Sequence, residues 1–208
     1  SVEVMGLNSR IFKFIQHYAN RGSEALGNFY GWNAVTRRNS HLTALAPTVS
    51  NSLISGGVSP SVEPIAANAF TQKTAKGTFL YQNPTLATVL ARYNKNESGV
   101  WKSIVNSDGS VQHLDFLTDG EKEVFLTARE INQFNIIRQA AARQPYIDQS
   151  QSVNLFFPVN VDPKWFHNIH MEAWRSGMKT LYYVRSGSVL KGDVASRFYD
   201  ESCAACEG

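Results

Sequence analysis

The chain has 208 residues, a net charge of +3 from 20 Lys and Arg against 17 Asp and Glu, and two cysteines, both in the last six positions. A hydrophobic share of 43% at this length fits one domain with at most an appendage and excludes a disordered class. The near-even charge argues against a nucleic-acid partner, no apolar run approaches the ~20 residues of a membrane-spanning helix, and the N-terminus shows no signal-peptide pattern.

Residues 2–30 read as helical with one break. Ile11, Phe12, Phe14, Ile15 and Tyr18 are spaced as a buried stripe, with Asn8 and Ser9 as N-cap candidates ahead of it. A helix-like pattern running to the first residue leads us to expect a preceding segment. His41–Ala46 alternates polar and apolar as a strand does. Pro47, Thr48, Val49, Ser50, Asn51 and Ser52 follow, then Leu53 and Ile54 up to Gly56, which reads as hydroxyl-rich turn and helix start. Residues 58–85 carry Pro60, Pro64, Gly77 and Pro84 and read as an ordered loop with buriable Ile65, Phe70, Phe79, Leu80 and Tyr81. Residues 94–115 are polar with turn dipeptides.

Thr118 and Glu121 form a capping box, and Val124, Phe125, Ala128, Ile131, Ile137 and Ala141 continue a helical stripe. This predicts the longest helix, stopped by Pro145 with Gln144 pushed towards extended backbone. Ser152–Phe157 reads as a short buried strand. Asp162 and Pro163 open another helix, with Trp165, Phe166, Ile169, Ala173 and Trp174 inward and Gly177 at its end. Thr180–Arg185 is a third strand. Strands alternating with helices imply an α/β class with crossover connections, and residues 186–208 read as a mobile tail.

Three constellations can carry chemistry. Cys203 and Cys206 close too small a ring to stabilise a fold, but accessible thiols on a tail suit thiol–disulfide exchange. Asp200, Glu201 and Glu207 disfavour the thiolate, so the pair suits carrying electrons better than initiating attack. From Arg185 to Cys203 a coil averages roughly 20–25 Å, enough to swing between two partners. The alternatives are an incidental pair or zinc, with His167 and His170 completing the four ligands. Thr48, Ser50, Asn51 and Ser52 crowd a helix start, which is either an anion site or an ordinary cap. Tyr182 and Tyr183, adjacent in a strand, would point to opposite faces, and core packing explains them.

Taken in register, these features resemble the large (α, catalytic) subunit of class I ribonucleotide reductase. The resemblance rests on Arg38–Ser52, Ser61-Val62-Glu63-Pro64, Asn68-Ala69-Phe70, Arg143–Leu155 and Lys179–Tyr183, together with the cysteine tail. It implies an α/β fold, the C-terminal part of a ten-stranded barrel (residues 1–185) followed by a flexible redox tail (residues 186–208). It implies that Thr48, Val49, Ser50, Asn51 and Ser52 hold the diphosphate of a ribonucleoside diphosphate. Tyr182 and Tyr183 would be a stacked pair that relays a radical from the small subunit to an active-site cysteine. Cys203 and Cys206 would reduce the active-site disulfide and then be reduced by thioredoxin or glutaredoxin.

The chain has no cysteine before Cys203, so the radical-bearing and substrate-reducing thiols of the family are not in it. The expected partners are therefore an N-terminal large-subunit polypeptide and a small subunit carrying the metal-radical cofactor. No cofactor is expected on this chain. A phage-type split subunit and a piece of a longer large subunit fit the residues equally well. The expected place is the cytoplasm, a host's if phage-encoded, and the chain alone is expected to be inactive with a large apolar face. The competing reading is a free-standing redox or metal-binding module, with no catalysis of its own, that closes as a monomer.

Overall fold

The computed structural model describes residues 2–31, 37–56, 59, 62–74 and 77–186. In chain order the elements are α1 (Val2–Phe29), α2 (Val49–Ile54), β1 (Ala69–Thr74), β2 (Gly77–Gln82), α3 (Pro84–Arg92) and α4 (Ser98–Asn106). They continue with α5 (Asp119–Val124), α6 (Gln133–Arg143), a 3-10 turn (Gln144–Tyr146), β3 (Leu155–Phe157), α7 (Pro163–Arg175) and β4 (Val184–Ser186). The chain divides into two compact units. The first gathers Ser1–Thr48, Ser61–Glu63 and Asn132–Arg185, and the second is built on Val49–Pro60 and Pro64–Ile131. The tail expected as mobile lies, after Ser186, outside the described residues.

In the first unit, α1 is one unbroken 28-residue helix rather than a broken one. Asn8 and Ser9 are not caps. Asn8 donates its side-chain amide to the Gln139 carbonyl at 2.8 Å and Ser9 its hydroxyl to the Ala142 carbonyl at 3.4 Å, both on α6. Phe12 and Gln16 follow on the same side, with the Arg143 guanidinium 5.8 Å from the Phe12 ring and Gln16 donating to the Pro145 carbonyl. The helix thus docks through a mostly polar face. The stripe expected to be buried is exposed instead: Ile11 46%, Phe14 63%, Ile15 45% and Tyr18 53%. With Val4 and Leu7 it runs at alternating three- and four-residue steps along one side of α1. Periodicity marked a face to be covered without saying by what.

The rest of that unit packs around α6, whose Ile136, Ile137 and Ala140 are buried. Every residue of β3 is buried, as are Ile169 and Ala173 of α7. Phe157 meets Trp165 and Phe166 with ring centroids 5.1 and 4.9 Å apart. Trp174, expected inward, is 71% exposed. Asp162 caps α7 by accepting from the Lys164 backbone N–H, and Gly177 beyond the helix takes φ +75. The strand expected over His41–Ala46 shortens to one parallel bridge, Leu45 to Gln151. Flanking bonds extend the pairing: Leu45 N–H to Ser150 O at 3.1 Å, Ser152 N–H to Leu45 O at 2.9 Å and Gln149 N–H to Thr43 O at 3.0 Å. β3 pairs in turn with β4.

In the second unit, residues read as loop form an antiparallel hairpin of β1 and β2, with Phe70 stacked on Tyr81 at 4.5 Å. Residues read as polar turns include α4, which buries Trp101 and Ile104. These join Leu86, Leu90, Val111, Leu114 and Phe125 in one apolar cluster. The capping box is present, with Thr118 accepting from Glu121 N–H and Glu121 accepting from Thr118 N–H. The helix it opens, however, ends after six residues at Val124. Non-local and side-chain bonds take its place: Ala128 N–H donates to Ile65 O at 2.8 Å, and Thr127 N–H to Glu130 at 2.7 Å. A new helix, α6, then starts from Asn132, whose side chain accepts from Phe134 N–H. Gln144 is helical, φ −53 and ψ −37, rather than extended, because the chain closes a 3-10 turn through Pro145.

Candidate functional site

Tyr182 and Tyr183 sit just before β4 rather than within it. The pleat that would send adjacent side chains to opposite faces therefore does not apply. Their rings touch, with centroids 4.1 Å apart and planes inclined by 51°. This corrects the opposite orientation read from strand geometry, whereas the resemblance implied that the two rings are paired. Tyr182 is 38% exposed and Tyr183 half-buried.

The segment is fixed by its backbone. Tyr182 N–H donates to Val153 O at 2.9 Å, and Leu155 N–H donates to Tyr183 O at 2.9 Å. Tyr183 N–H donates to the side-chain oxygen of Asn154 at 3.0 Å. The Arg185 guanidinium lies 5.0 Å from the Tyr183 ring centroid, in cation–π range. Asn154 is held by Glu63. One Glu63 oxygen accepts from Asn154 N–H at 2.7 Å, and the other accepts from the Asn154 side-chain amide at 3.0 Å. Burial raises the Glu63 pKa, while the two Asn154 bonds and the charges of Arg185 and Arg143 pull the other way. Burial likewise pushes Arg143 down to about 10, opposed by Glu63, which leaves it charged at neutral pH.

A second buried group adjoins these residues along the chain. Arg143 donates from Nε to Gln151 at 2.6 Å. Gln151 donates to the Ala140 carbonyl at 3.0 Å and to the Gln144 side chain at 2.9 Å. Gln144 donates to the Gln149 carbonyl at 3.1 Å. Sequence reasoning gave no role to Glu63, Arg143, Gln151 or Asn154, although each lies in a stretch carrying the resemblance. A signal was available for Asn154, a polar side chain between Val153 and Leu155 in a segment read as a buried strand.

The proposed phosphate loop enters from the segment paired to residues 149–152. Thr48 is half-buried, and residues 49–52 form the first turn of α2, with Asn51 exposed and Ser52 buried. The Asn51 carbonyl accepts from Ser55 N–H at 2.9 Å. The roles expected for Val49 and Ser50 rest on side chains outside the described set, and Cys203 and Cys206 lie outside the described residues altogether. Of the histidines weighed as zinc ligands, His167 is exposed. His170 Nδ1 lies 2.8 Å from the Phe166 carbonyl, with its ring 4.3 Å from the Phe166 ring. Among the described residues, no three or more His, Cys, Asp or Glu converge as metal ligands.

Comparison with known proteins gives the arrangement its family. A family model described as "Ribonucleotide reductase, barrel domain" matches residues 32–184. The ribonucleoside-diphosphate reductase large subunit of Invertebrate iridescent virus 3 is 42% identical over 97% of this chain and 34% of its own length. That of Invertebrate iridescent virus 6 is 43% identical over 94% of this chain and 21% of its own. Among solved structures, the Actinobacillus ureae class Id ribonucleotide reductase alpha subunit superposes with a TM-score of 0.81 at 40% identity, covering 90% of this chain and 35% of that one. The chain thus spans about a third or less of the length of these relatives. It belongs to the ribonucleotide reductase large-subunit family and carries part of its α/β barrel domain.

Proposed function

We propose that this chain supplies three working parts to a ribonucleotide reductase large subunit: a tyrosine relay, a substrate-phosphate loop and a pair of shuttle thiols. The reaction is reduction of a ribonucleoside diphosphate to its deoxy form. The chain acts only with the remaining part of the large subunit and with a small subunit whose metal cofactor is the radical source. The observation that carries the reading is the contact of Tyr182 with Tyr183, 4.1 Å between ring centroids, in a chain of this family. Oxidation of a tyrosine that carries its phenolic proton releases that proton with the electron. Transfer between two tyrosines then requires adjacent rings.

In this reading the diphosphate is bound by Thr48–Ser52, through backbone N–H groups at the start of α2 and through hydroxyl side chains, which a helix N-terminus suits. Cys203 and Cys206 give two electrons and two protons to the active-site disulfide. They become a disulfide themselves, and thioredoxin or glutaredoxin restores the thiols. The exposed apolar side of α1 supports assembly with a further polypeptide, whether that is the other chain of a split, phage-type subunit or the rest of one chain. No helix among the described residues is long and apolar enough to cross a membrane, which agrees with a cytoplasmic enzyme.

The test is reconstitution. The chain is sized and assayed alone, then with the N-terminal part of a homologous large subunit and a small subunit. Turnover is expected only in the mixture, and Tyr183→Phe should abolish it without preventing assembly. Activity from the chain alone, or full activity with Tyr183→Phe, overturns the proposal. A closed monomer that binds neither polypeptide favours the free-standing module.

A further inference from the structure

The tyrosine pair is held partly by a side chain, and that side chain has a choice of orientation. An asparagine amide has nearly the same shape when flipped, presenting its NH2 where its oxygen was. Asn154 must present its oxygen to accept from Tyr183 N–H. What selects that orientation is Glu63. An ionised carboxylate only accepts hydrogen bonds, so the oxygen that contacts the Asn154 amide at 3.0 Å draws the NH2 towards itself. The other oxygen fixes the Asn154 backbone at 2.7 Å. Glu63 is 7% exposed and Asn154 equally so, which leaves little water to substitute for either partner.

We propose that Glu63 is a positioning residue for Tyr183: by setting the orientation of the Asn154 amide it fixes the backbone that carries the tyrosine pair. The inference rests on the relay reading for its consequence in turnover, but not for its structural content. A buried carboxylate of this kind is costly unless paired and hydrogen-bonded. Here it is met by two hydrogen bonds and by the charges of Arg143 and Arg185. Arg185 also lies over the Tyr183 ring, so the same cation serves the carboxylate and the aromatic it positions.

The test exchanges the polarity of the pair. In Glu63→Gln, two NH2 groups face each other. Asn154 relieves this by flipping, and Tyr183 N–H loses its acceptor. In Asn154→Asp, two carboxylates face each other. In the double variant Glu63→Gln/Asn154→Asp the two side chains are complementary again. The amide introduced at position 63 accepts through its oxygen from the backbone N–H of position 154 and donates through its NH2 to one oxygen of the new carboxylate. The second oxygen of that carboxylate accepts from Tyr183 N–H. Heavy-atom count and net charge match the original.

Two readouts are taken on the full chain reconstituted with its partners: amide hydrogen exchange at Tyr183, and kcat with KM for the ribonucleoside diphosphate. Glu63→Gln should speed exchange at Tyr183 and lower kcat by about tenfold, the worth of one such bond, and Asn154→Asp should lower kcat through the repulsion of its two facing carboxylates. KM should change less than about twofold, since about 0.4 kcal/mol corresponds to that ratio. The double variant should recover most of both losses. Exchange at the original rate in Glu63→Gln, or a double variant no better than the worse single, overturns the inference. If a single variant does not assemble, the double variant decides by the same criterion. Tyr183→Phe separates the two proposals: if it keeps full turnover, the relay reading fails while the exchange data still judge Glu63.

Discussion

Replacing Gln151 with Met tests whether the buried polar group around α6 is structural in the way its geometry implies. Gln151 is 1% exposed and makes three side-chain hydrogen bonds, to Arg143, Gln144 and the Ala140 carbonyl. Methionine keeps the length and most of the volume, so little cavity cost enters. The Ala140 carbonyl still accepts from the Gln144 backbone N–H, so its loss is small. The Gln144 oxygen loses its donor, at about 1 kcal/mol. Arg143 is the large contribution: a charged donor, 4% exposed, loses its 2.6 Å partner, at about 2–3 kcal/mol. The sum is about 3–4 kcal/mol, a third or more of a typical ~10 kcal/mol domain stability. In urea, with m near 2 kcal/mol per molar, the midpoint of the first unit should fall by about 1.5–2 M. Changing Arg143 and Gln151 together to Met should recover part of that loss, because no charged donor is then left unpaired. A midpoint within about 0.3 M of the original for Gln151→Met would refute the reasoning, since Arg143 would then have another acceptor.

Two further predictions follow from the same structure. Gly109→Ala should lower the thermal stability of the second unit by about 2–4 kcal/mol, because Gly109 takes φ +79 and a Cβ there would lie 2.3 Å from the Ala67 Cβ and 2.7 Å from its Cα. Gly120→Ala, in α5 with nothing within 4 Å, is the control and should be neutral or stabilising in the same melting experiment. For Glu63, burial holds the folded-state pKa above the ordinary 4.5, so the folded chain binds this proton more tightly than the unfolded one. That contribution is complete below the unfolded value and is lost as pH rises through the folded value. The stability of the original chain relative to Glu63→Gln should therefore fall as pH is raised from about 4 towards neutrality, and a rise over that range in urea titrations would contradict the dominance of burial.

Where a local rule had one physical outcome, the sequence was readable. Asp162, Pro163 and Gly177 mark α7 because a cap, a fixed φ and a positive φ are properties of single residues. The Thr118–Glu121 box marks the start of α5 for the same reason. What followed that box was not readable. The stripe from Val124 to Ala141 suits a helix, but bonds from Ala128 to Ile65 and from Thr127 to Glu130 compete for the backbone and divide it. No local pattern reports Ile65, a partner so distant in the chain, although Thr127 and Glu130 repeat the spacing of the Thr118–Glu121 box. The stripe on α1 failed differently: its period was right, and its exposure reflects only that polar positions 8, 9 and 16 dock on α6 and its adjoining turn. For the candidate site, the contact of Tyr182 with Tyr183 was legible only through the resemblance; strand geometry points the two side chains apart, because it does not report that the segment ends before the pleat of β4 begins.

That contact raises the question of what keeps it in place, since β3 and β4 have three residues each. So short a pair has little stability of its own. Apolar packing of β3 fixes its burial but does not specify where along it the tyrosine segment pairs. The polar side chains do. Asn154 offers one acceptor to one backbone N–H, that of Tyr183, and Thr180 donates its hydroxyl to the Gln151 carbonyl at 3.3 Å. Each of these acceptors is tied in turn to another segment: Asn154 to Glu63, and Gln151 to Arg143, Gln144 and the bridge with Leu45. A shift of the tyrosine segment by one residue would leave Asn154 without its backbone donor and move Tyr183 away from it, at about 1–3 kcal/mol for the buried group left unpaired. Burying a carboxylate and a guanidinium is a poor way to gain stability, but it penalises the wrong register. In the proposed relay, which depends on the two rings touching, that specificity is what the fold has to provide.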